Sequence, residues 1–112
     1  MSGDLQVFKA EFFRALAHPV RIRILEALTR GELAVNEIQR QLSLEQSLIS
    51  QQLSILRTKN IVTARKSGTT VYYALRDQKV ADLLDVAREI FNNQLVGTQT
   101  LLRQLNRELR SR

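Results

Sequence analysis

The sequence predicts a mainly α-helical fold with a β-hairpin, in the order helix, helix, helix, helix, strand, strand, helix. Apolar residues recur at helical spacing before residue 60 and after residue 77, and between these positions the period becomes that of strands. A three-residue connection joins two of the helices, and a glycine-containing turn joins the two strands. Together these observations predict a winged helix-turn-helix over residues 1–112, as one domain.

The first two helices are expected on either side of His18-Pro19. Proline is favoured in the first turn of a helix, and the residue before it avoids helical geometry, so the second helix should begin at Pro19. Gly31 is well placed to end that helix as a C-terminal cap. The apolar residues of the first helix are Leu5, Phe8, Phe12, Phe13 and Leu16. Those expected to face the core from the second helix are Ile22, Ile24, Leu25 and Leu28.

Residues 35–42 and 45–59 form the predicted helix-turn-helix, with Ser43-Leu44-Glu45 as its connection. The outward side of the second helix carries hydroxyls and amides and has no carboxylate after Glu45, although serine and threonine are mediocre helix formers. A face that meets only solvent more often carries mixed pairs of Glu, Lys and Arg. This composition therefore indicates a surface that meets a partner. The residues expected to face the core from this helix are Leu48, Ile49, Leu53 and Leu56.

Residues 62–75 predict a β-hairpin, because β-branched and aromatic residues alternate on both sides of Ser67-Gly68. The position of this hairpin directly after a helix-turn-helix favours a wing. The alternative is an ordinary turn whose lysine and arginine side chains are solvated.

A last helix with a broad apolar stripe is predicted over residues 78–110. Such a helix is too long to bury itself against so small a domain, so a second copy of the chain is the expected partner. The alternative is that the helix breaks near Gly97 and folds back on the core as two shorter helices.

The charges of the chain are unevenly distributed around a net charge of +6 and a pI of about 10.5. All 11 Asp and Glu residues lie outside residues 46–76, which we call the acid-free stretch. Such a stretch favours a polyanionic partner over the alternative of a random solvated basic face. Its basic residues, with no acid between them, are Arg57, Lys59, Arg65, Lys66 and Arg76.

Double-stranded DNA is the polyanion that fits the helix-turn-helix. The second helix of such a pair enters the major groove, where base edges offer donors and acceptors and the phosphates repel carboxylates. Gln52 is set apart because its angle falls towards the protein. The residues predicted to read bases are Gln46, Ser47, Ser50, Gln51 and Ser54. The residues predicted to contact phosphates from the helix end and the wing are Arg57, Thr58, Lys59, Arg65, Lys66, Ser67, Gly68 and Thr69.

Several function classes lack the residues they need. The absence of cysteine excludes disulfides, thiolate metal sites and cysteine nucleophiles. His18 is the only histidine, and we expect it to be a helix-boundary residue with a local hydrogen bond. An enzyme is therefore the least favoured class, and no cofactor is expected. No apolar run approaches the roughly 18 residues of a membrane span and no signal-peptide pattern is seen, so a cytoplasmic protein without a membrane partner is expected.

Four pieces of the chain, ALAHPVRIRIL, ELAVNEI, SLISQQLSILRTKNIV and RKSGTTVYYAL, occur in that order within residues 13–75. They resemble the ArsR/SmtB-type bacterial transcriptional repressors. The resemblance implies a homodimer that binds an imperfect inverted repeat and is released by an inducer. It also implies that the helices of residues 1–17 and 78–110 form the dimer interface around a DNA-binding core of residues 19–76. The interface residues expected on this basis are Leu5, Phe8, Phe12, Leu84, Ala87, Phe91, Leu95 and Leu102.

The chain departs from the metal-sensing members of this family. Those members often carry two cysteines in the segment that matches ELAVNEI, where this chain has Ala34 and Asn36. Other members bind metal through Asp and His of the last helix, which here has Asp82, Asp85 and Glu89 but no histidine. No metal site is therefore expected, because carboxylates alone bind hard cations weakly. Three alternatives stay open: a regulator that answers an organic ligand or a partner protein, a regulator that has lost its inducer response, and a winged helix that binds protein instead of DNA.

Overall fold

Five α-helices and three short strands follow one another along residues 3–110, the part of the chain that the computed structural model describes. The predicted order is confirmed apart from one additional strand, β1, and residues 1, 2, 111 and 112 of the predicted domain lie outside the described residues. The helices are α1 (Asp4–Leu16), α2 (Pro19–Ala27), α3 (Val35–Leu42), α4 (Gln46–Thr58) and α5 (Lys79–Arg110). The strands are β1 (Leu33–Ala34), β2 (Val62–Ser67) and β3 (Thr70–Leu75).

The chain divides into two compact units after Ala81. We call the described residues 3–81 the winged-helix unit and residues 82–110 the tail. The winged-helix unit contains α1 to α4, the three strands and the first residues of α5, whereas the tail is helical throughout. Within residues 3–110, no helix combines the length and the apolarity needed to cross a membrane.

The junction between α1 and α2 has the predicted geometry. His18 is the N-cap of α2, and its Nδ1 accepts a hydrogen bond from the Val20 backbone N–H at 3.1 Å. Pro19 occupies the first turn, and its fixed φ suits that position. The expected local hydrogen bond of His18 is therefore confirmed. After α2 a single 3₁₀ turn (Leu28–Arg30) leads to Gly31, whose φ of 145° is open to glycine and strained for other residues.

The core of the winged-helix unit is built from aliphatic side chains of α2, α3, α4 and β2. The expectation that Ile22 also faces this core is wrong, since its side chain is 37% exposed. Ile22 precedes Ile24 by two residues, about 200° around a helix, so the two cannot share a narrow inward face. The side chains that are almost completely buried are Ile24, Leu25, Leu28, Ile38, Ile49, Leu53, Leu56, Ile61 and Val62.

The hairpin strands β2 and β3 belong to a three-stranded antiparallel sheet with the order β1-β3-β2, in which β3 is central. Its register pairs Val62 with Leu75 at the base and Ser67 with Thr70 at the tip. The sequence predicted two strands, and the third, β1, adds only the pairs of Leu33 and Ala34 with β3. A strand of two residues is too short to show a period, so only its tertiary pairing defines it.

The tail continues α5 without interruption through Gly97 to Arg110, which excludes the alternative of two shorter helices. At 1.5 Å per residue, the 32 residues of α5 span about 48 Å. Most of its large apolar side chains are exposed, namely Val86, Ile90, Phe91, Leu95, Val96, Leu101, Leu102, Leu105 and Leu109.

Candidate nucleic-acid interface

The two sides of α4 differ sharply in exposure. Ile49, Leu53 and Leu56 are completely buried against the core, as predicted. The hydroxyls and amides on the opposite side are all exposed to solvent, together with Gln46 at the start of the helix. The surface that the sequence predicted to meet a partner is therefore open in the described chain. Its exposed residues are Gln46, Ser47, Ser50, Gln51, Ser54 and Thr58.

Gln52 fixes α4 to the rest of the unit. Its side chain is 7% exposed, as expected from its angle, and its Oε1 accepts a hydrogen bond from the Arg21 guanidinium at 2.9 Å. Arg21 Nε also donates to the Ala15 carbonyl at 2.6 Å. One guanidinium therefore ties the end of α1 and the middle of α4 to α2. Because buried polar groups without partners are costly, this network holds α4 in one orientation.

The connection between α3 and α4 is set by backbone geometry. Ser43 adopts a left-handed conformation with φ of 55°, and its N–H donates to the Gln39 carbonyl at 2.9 Å. Arg23 donates to the Leu42 carbonyl at 2.8 Å and so satisfies one of the free carbonyls at the end of α3. These contacts end α3 and start α4 three residues later, which is the short connection of a helix-turn-helix.

The C-terminal end of α4 carries one cation that is paired with a carboxylate and one that is not. Lys59 Nζ lies 3.8 Å from Glu11 Oε2 of α1, so its charge is partly offset. The Arg57 side chain is exposed and makes no hydrogen bond or ion pair with the described residues. Thr58 Oγ1 donates to the Ser54 carbonyl at 2.9 Å, which leaves its oxygen able to accept.

The wing holds one arginine in place and leaves its tip open. Arg65 donates through Nη2 to Glu32 Oε1 at 2.6 Å and through Nε to Glu32 Oε2 at 3.2 Å. Its guanidinium also lies 4.9 Å from the centre of the Tyr72 ring across the strands. At the tip, Gly68 has a φ of 63°, a conformation that glycine adopts without strain. The exposed tip consists of Lys66, Ser67, Gly68 and Thr69.

In the fold, carboxylates from outside the acid-free stretch offset part of its positive charge. Glu32 and Glu11, which precede the stretch, pair with Arg65 and Lys59. The hydrogen bond from Arg65 lowers the pKa of the Glu32 carboxyl, and the same hydrogen bond raises the pKa of Arg65. Arg57, Lys66 and Arg76 have no such partner within residues 3–110. These three are therefore the cations of the acid-free stretch that remain available to bind an anion from outside the chain.

A cleft that sequence reasoning missed lies between the end of α4 and the base of the hairpin. It has a volume of about 240 Å³. Arg76, which follows β3, lines the same cleft as Arg57, although the two lie 19 positions apart in the sequence. The only sequence signal was that both belong to the acid-free stretch. The cleft is lined by Arg57, Asn60, Val62, Thr63, Ala64 and Arg76.

No three side chains of His, Asp or Glu within residues 3–110 come close enough together to hold a metal ion. Asp82, Asp85 and Glu89 are all exposed on α5.

Comparison with known proteins places these features in a family. Residues 18–64, which contain α2, α3, α4 and the start of the wing, match the model of the bacterial regulatory proteins of the arsR family. The HTH-type transcriptional regulator Rv0081 of Mycobacterium tuberculosis is 41% identical over 93% of this chain and 92% of its own length. The chain belongs to the arsR family. The resemblance stated from the sequence is thereby confirmed.

Solved structures agree with this assignment. The crystal structure of M. tuberculosis Rv0081 matches with a TM-score of 0.77 and 43% identity, over 85% of this chain and 96% of that one. A second match is the solution structure of the homodimeric winged helix-turn-helix DNA-binding domain Mb0332 from Mycobacterium bovis, with a TM-score of 0.74 and 30% identity, over 85% of this chain and 94% of that one. This arsR-family chain is thus a DNA-binding regulator with a winged helix-turn-helix, and the exposed side of α4 is its candidate contact surface.

Proposed function

We propose that this arsR-family protein is a homodimeric transcriptional repressor that binds an inverted-repeat operator through α4 and the wing. The single observation that carries the proposal is the outward side of α4, which is exposed, uncharged and rich in hydroxyls and amides. Such a side chain set can donate to and accept from base edges, and it presents no carboxylate to the phosphates.

Base reading is proposed for the N-terminal half of α4. Ser47, Ser50 and Gln51 lie at the end of the helix that enters the major groove first in this class of protein. Gln51 is the longest of these side chains, and its amide both donates and accepts. Gln46 and Ser54 extend the same exposed surface at either end.

Backbone contacts are proposed for the end of α4 and the wing. Lys66 at the wing tip and Arg57 are exposed and unpaired within residues 3–110, so their charges are free to neutralise phosphates. Ser67, Thr69 and Thr58 add hydroxyls, and the backbone N–H of Gly68 is another donor at the tip. Lys59 and Arg65 are weaker candidates, because each must share its charge with a carboxylate.

Dimerisation is proposed through α1 and α5, with residues 19–76 as the DNA-binding core. The winged helix-turn-helix domain from M. bovis is homodimeric, and this chain has exposed apolar side chains on both helices. On α1 they include Leu5 and Phe8, with Phe12 half-buried. On α5, helical spacing puts one set on a single stripe, namely Leu84, Ala87, Phe91, Leu95 and Leu102.

Repression is proposed from a relative of this chain, and a cytoplasmic location is proposed from its DNA partner. The Biofilm growth-associated repressor of Xylella fastidiosa is 35% identical over 76% of this chain and 75% of its own length. We propose the same sign of regulation here, and a cytoplasmic location because that is where a bacterium holds its DNA. The effector is proposed to be an organic ligand or a protein, since the chain lacks the cysteine and histidine ligands of metal sensors.

Selection of bound sequences from random DNA by the purified protein tests the proposal. The expected result is a two-fold symmetric motif with half-sites about one helical turn apart, or a multiple of it. The affinity for that motif should fall steeply with salt, by about 0.9 log units per neutralised phosphate for each log unit of salt. If the selection recovers no motif and the affinity for DNA does not depend on salt, the alternative of a winged helix that binds protein is favoured.

A further inference from the structure

The cleft at the base of the hairpin combines two arginines with two neutral polar side chains. Arg57 comes from α4, Thr63 from β2, and Arg76 from the residue after β3. Asn60 lies between α4 and β2 in a left-handed conformation with φ of 61°, and its backbone N–H donates to the Arg57 carbonyl at 3.0 Å. No acidic side chain lines the cleft.

The charges of this cleft are uncompensated in the described chain. Neither Arg57 nor Arg76 makes a side-chain hydrogen bond or ion pair within residues 3–110, in contrast to Arg65, which Glu32 holds with two hydrogen bonds. Each guanidinium therefore keeps all five N–H donors for an outside acceptor. Both arginines line the same small cleft, which has no acidic residue in its lining, and a bound anion would offset their charges.

We propose that this cleft binds a phosphoryl group. Two guanidinium groups can each engage phosphate oxygens with paired hydrogen bonds, and the Thr63 hydroxyl and Asn60 amide supply further donors for a tetrahedral group with several oxygens. A volume of about 240 Å³ is below the roughly 300–1,000 Å³ of pockets for drug-sized ligands, so the occupant is small or is one group of a larger molecule.

Two sources can supply the phosphoryl group. Arg57 follows Ser54 by three residues, less than one helical turn, so a DNA phosphate at the edge of the groove can reach the cleft. This source rests on the proposed DNA binding. A free phosphorylated small molecule would occupy the same space without DNA, and it would then compete with the backbone of the operator.

The test uses the full chain and three variants. Arg76→Gln removes a charge that lies in the cleft, and Thr63→Val keeps both arginines but removes the hydroxyl. Arg30→Gln is the charge-matched control, because Arg30 is exposed and lies outside the cleft. Circular dichroism melting first establishes that each variant is folded.

The first arm asks whether the free protein binds phosphate. Inorganic phosphate is titrated at constant ionic strength, balanced with sodium chloride, while amide signals are followed by NMR. Saturable shifts are expected at Asn60, Thr63 and Ala64 in the wild type and in Arg30→Gln. They should be lost in Arg76→Gln, and Thr63→Val should weaken binding by about fivefold, which is one neutral hydrogen bond.

The second arm measures the salt dependence of operator affinity. Arg76→Gln is expected to reduce the slope by about 0.9 per subunit relative to the wild type, whereas Arg30→Gln leaves it unchanged. A response in the first arm without a change of slope in the second identifies a free phosphorylated ligand as the source, and a change of slope in the second arm identifies the DNA backbone. If neither arm separates Arg76→Gln from Arg30→Gln, the phosphoryl site is refuted. The first arm tests the phosphoryl site even if the protein binds no DNA. A failure of the proposed DNA binding can therefore be told apart from a failure of the phosphoryl site.

Discussion

The winged-helix unit buries its aliphatic side chains, whereas the tail exposes them. Leu53 in the unit is completely buried, while Leu95 and Leu102 in the tail are 64% and 54% exposed. The residue type is the same, so composition does not explain the contrast. The unit has α2, α3, α4 and β2 to close a core, but the tail is a single helix, which cannot enclose its own apolar stripe.

This contrast separates what the chain completes alone from what needs another molecule. Burying a leucine side chain is worth about 1.5–3 kcal/mol relative to leaving it in water. The unit gains this free energy from its own fold. For the tail we expect this gain from the proposed dimerisation, in which a second copy presents the same stripe in a self-complementary way. Folding of the unit and dimerisation through α5 should therefore respond to different substitutions.

The largest expected effect comes from removing a core leucine. Leu53→Ala should lower the free energy of unfolding by about 2–5 kcal/mol, because it leaves a cavity among fully buried neighbours. Leu102→Ala makes the same chemical change on the tail. Denaturant unfolding at two protein concentrations 100-fold apart distinguishes them. The loss for Leu53→Ala should be the same at both concentrations, and that for Leu102→Ala should be larger at the higher one. Equal losses for the two variants at both concentrations would contradict the division of roles.

Dimerisation should be broken by charges on the apolar stripe of the tail. Leu95→Lys combined with Leu102→Lys places two ammonium groups per chain in the proposed interface, and we expect the dimer to weaken roughly tenfold or more. The control is Asn93→Lys combined with Gln104→Lys, which adds the same charge on the opposite side of the helix. Sedimentation velocity measures both. Dissociation of the control to the same extent would mean that net charge, and not the stripe, is responsible.

The exposed outward side of α4 belongs neither to the core of the unit nor to the apolar stripe of the tail. Gln51→Ala should reduce the preference for the selected operator over random DNA by about 1–3 kcal/mol, because one amide contact to a base edge is lost. Lys66→Ala should weaken both DNAs alike, since a phosphate contact carries no sequence information. Fluorescence anisotropy with both DNAs gives the ratio. An unchanged ratio in Gln51→Ala would remove Gln51 from the base-reading set.

Periodicity predicted most of the fold because the elements concerned are long and amphipathic. The bounds predicted for α3 and the hairpin agree with the structure, since their apolar residues recur over several positions. What the sequence could not predict are contacts between residues distant in the chain. Arg21 meets Gln52 across 31 positions, and Arg65 meets Glu32 across 33. The cleft of Arg57 and Arg76 was missed for the same reason.

The smallest expected effect concerns the Glu32–Arg65 pair, which is part of neither the core nor the apolar stripe. Its hydrogen bond lowers the pKa of Glu32 from its ordinary value of 4.5. A carboxyl whose pKa is lower in the folded state stabilises the fold above its unfolded pKa, and this stabilisation is lost as the pH falls through the folded pKa. The contribution is small because both side chains are solvent-exposed.

Glu32→Gln should therefore lower the free energy of unfolding slightly at pH 7, and the difference from the wild type should shrink as the pH falls below about 4.5. Urea unfolding at a series of pH values between 3 and 7 measures this difference. Glu45→Gln, at an exposed carboxyl of the same unit that makes no side-chain capping hydrogen bond, is the control. A difference for Glu32→Gln that grows towards acid would have the wrong sign for a paired carboxylate. Arg65 would then be as free to meet phosphates as Lys66, and the wing would carry two available cations instead of one.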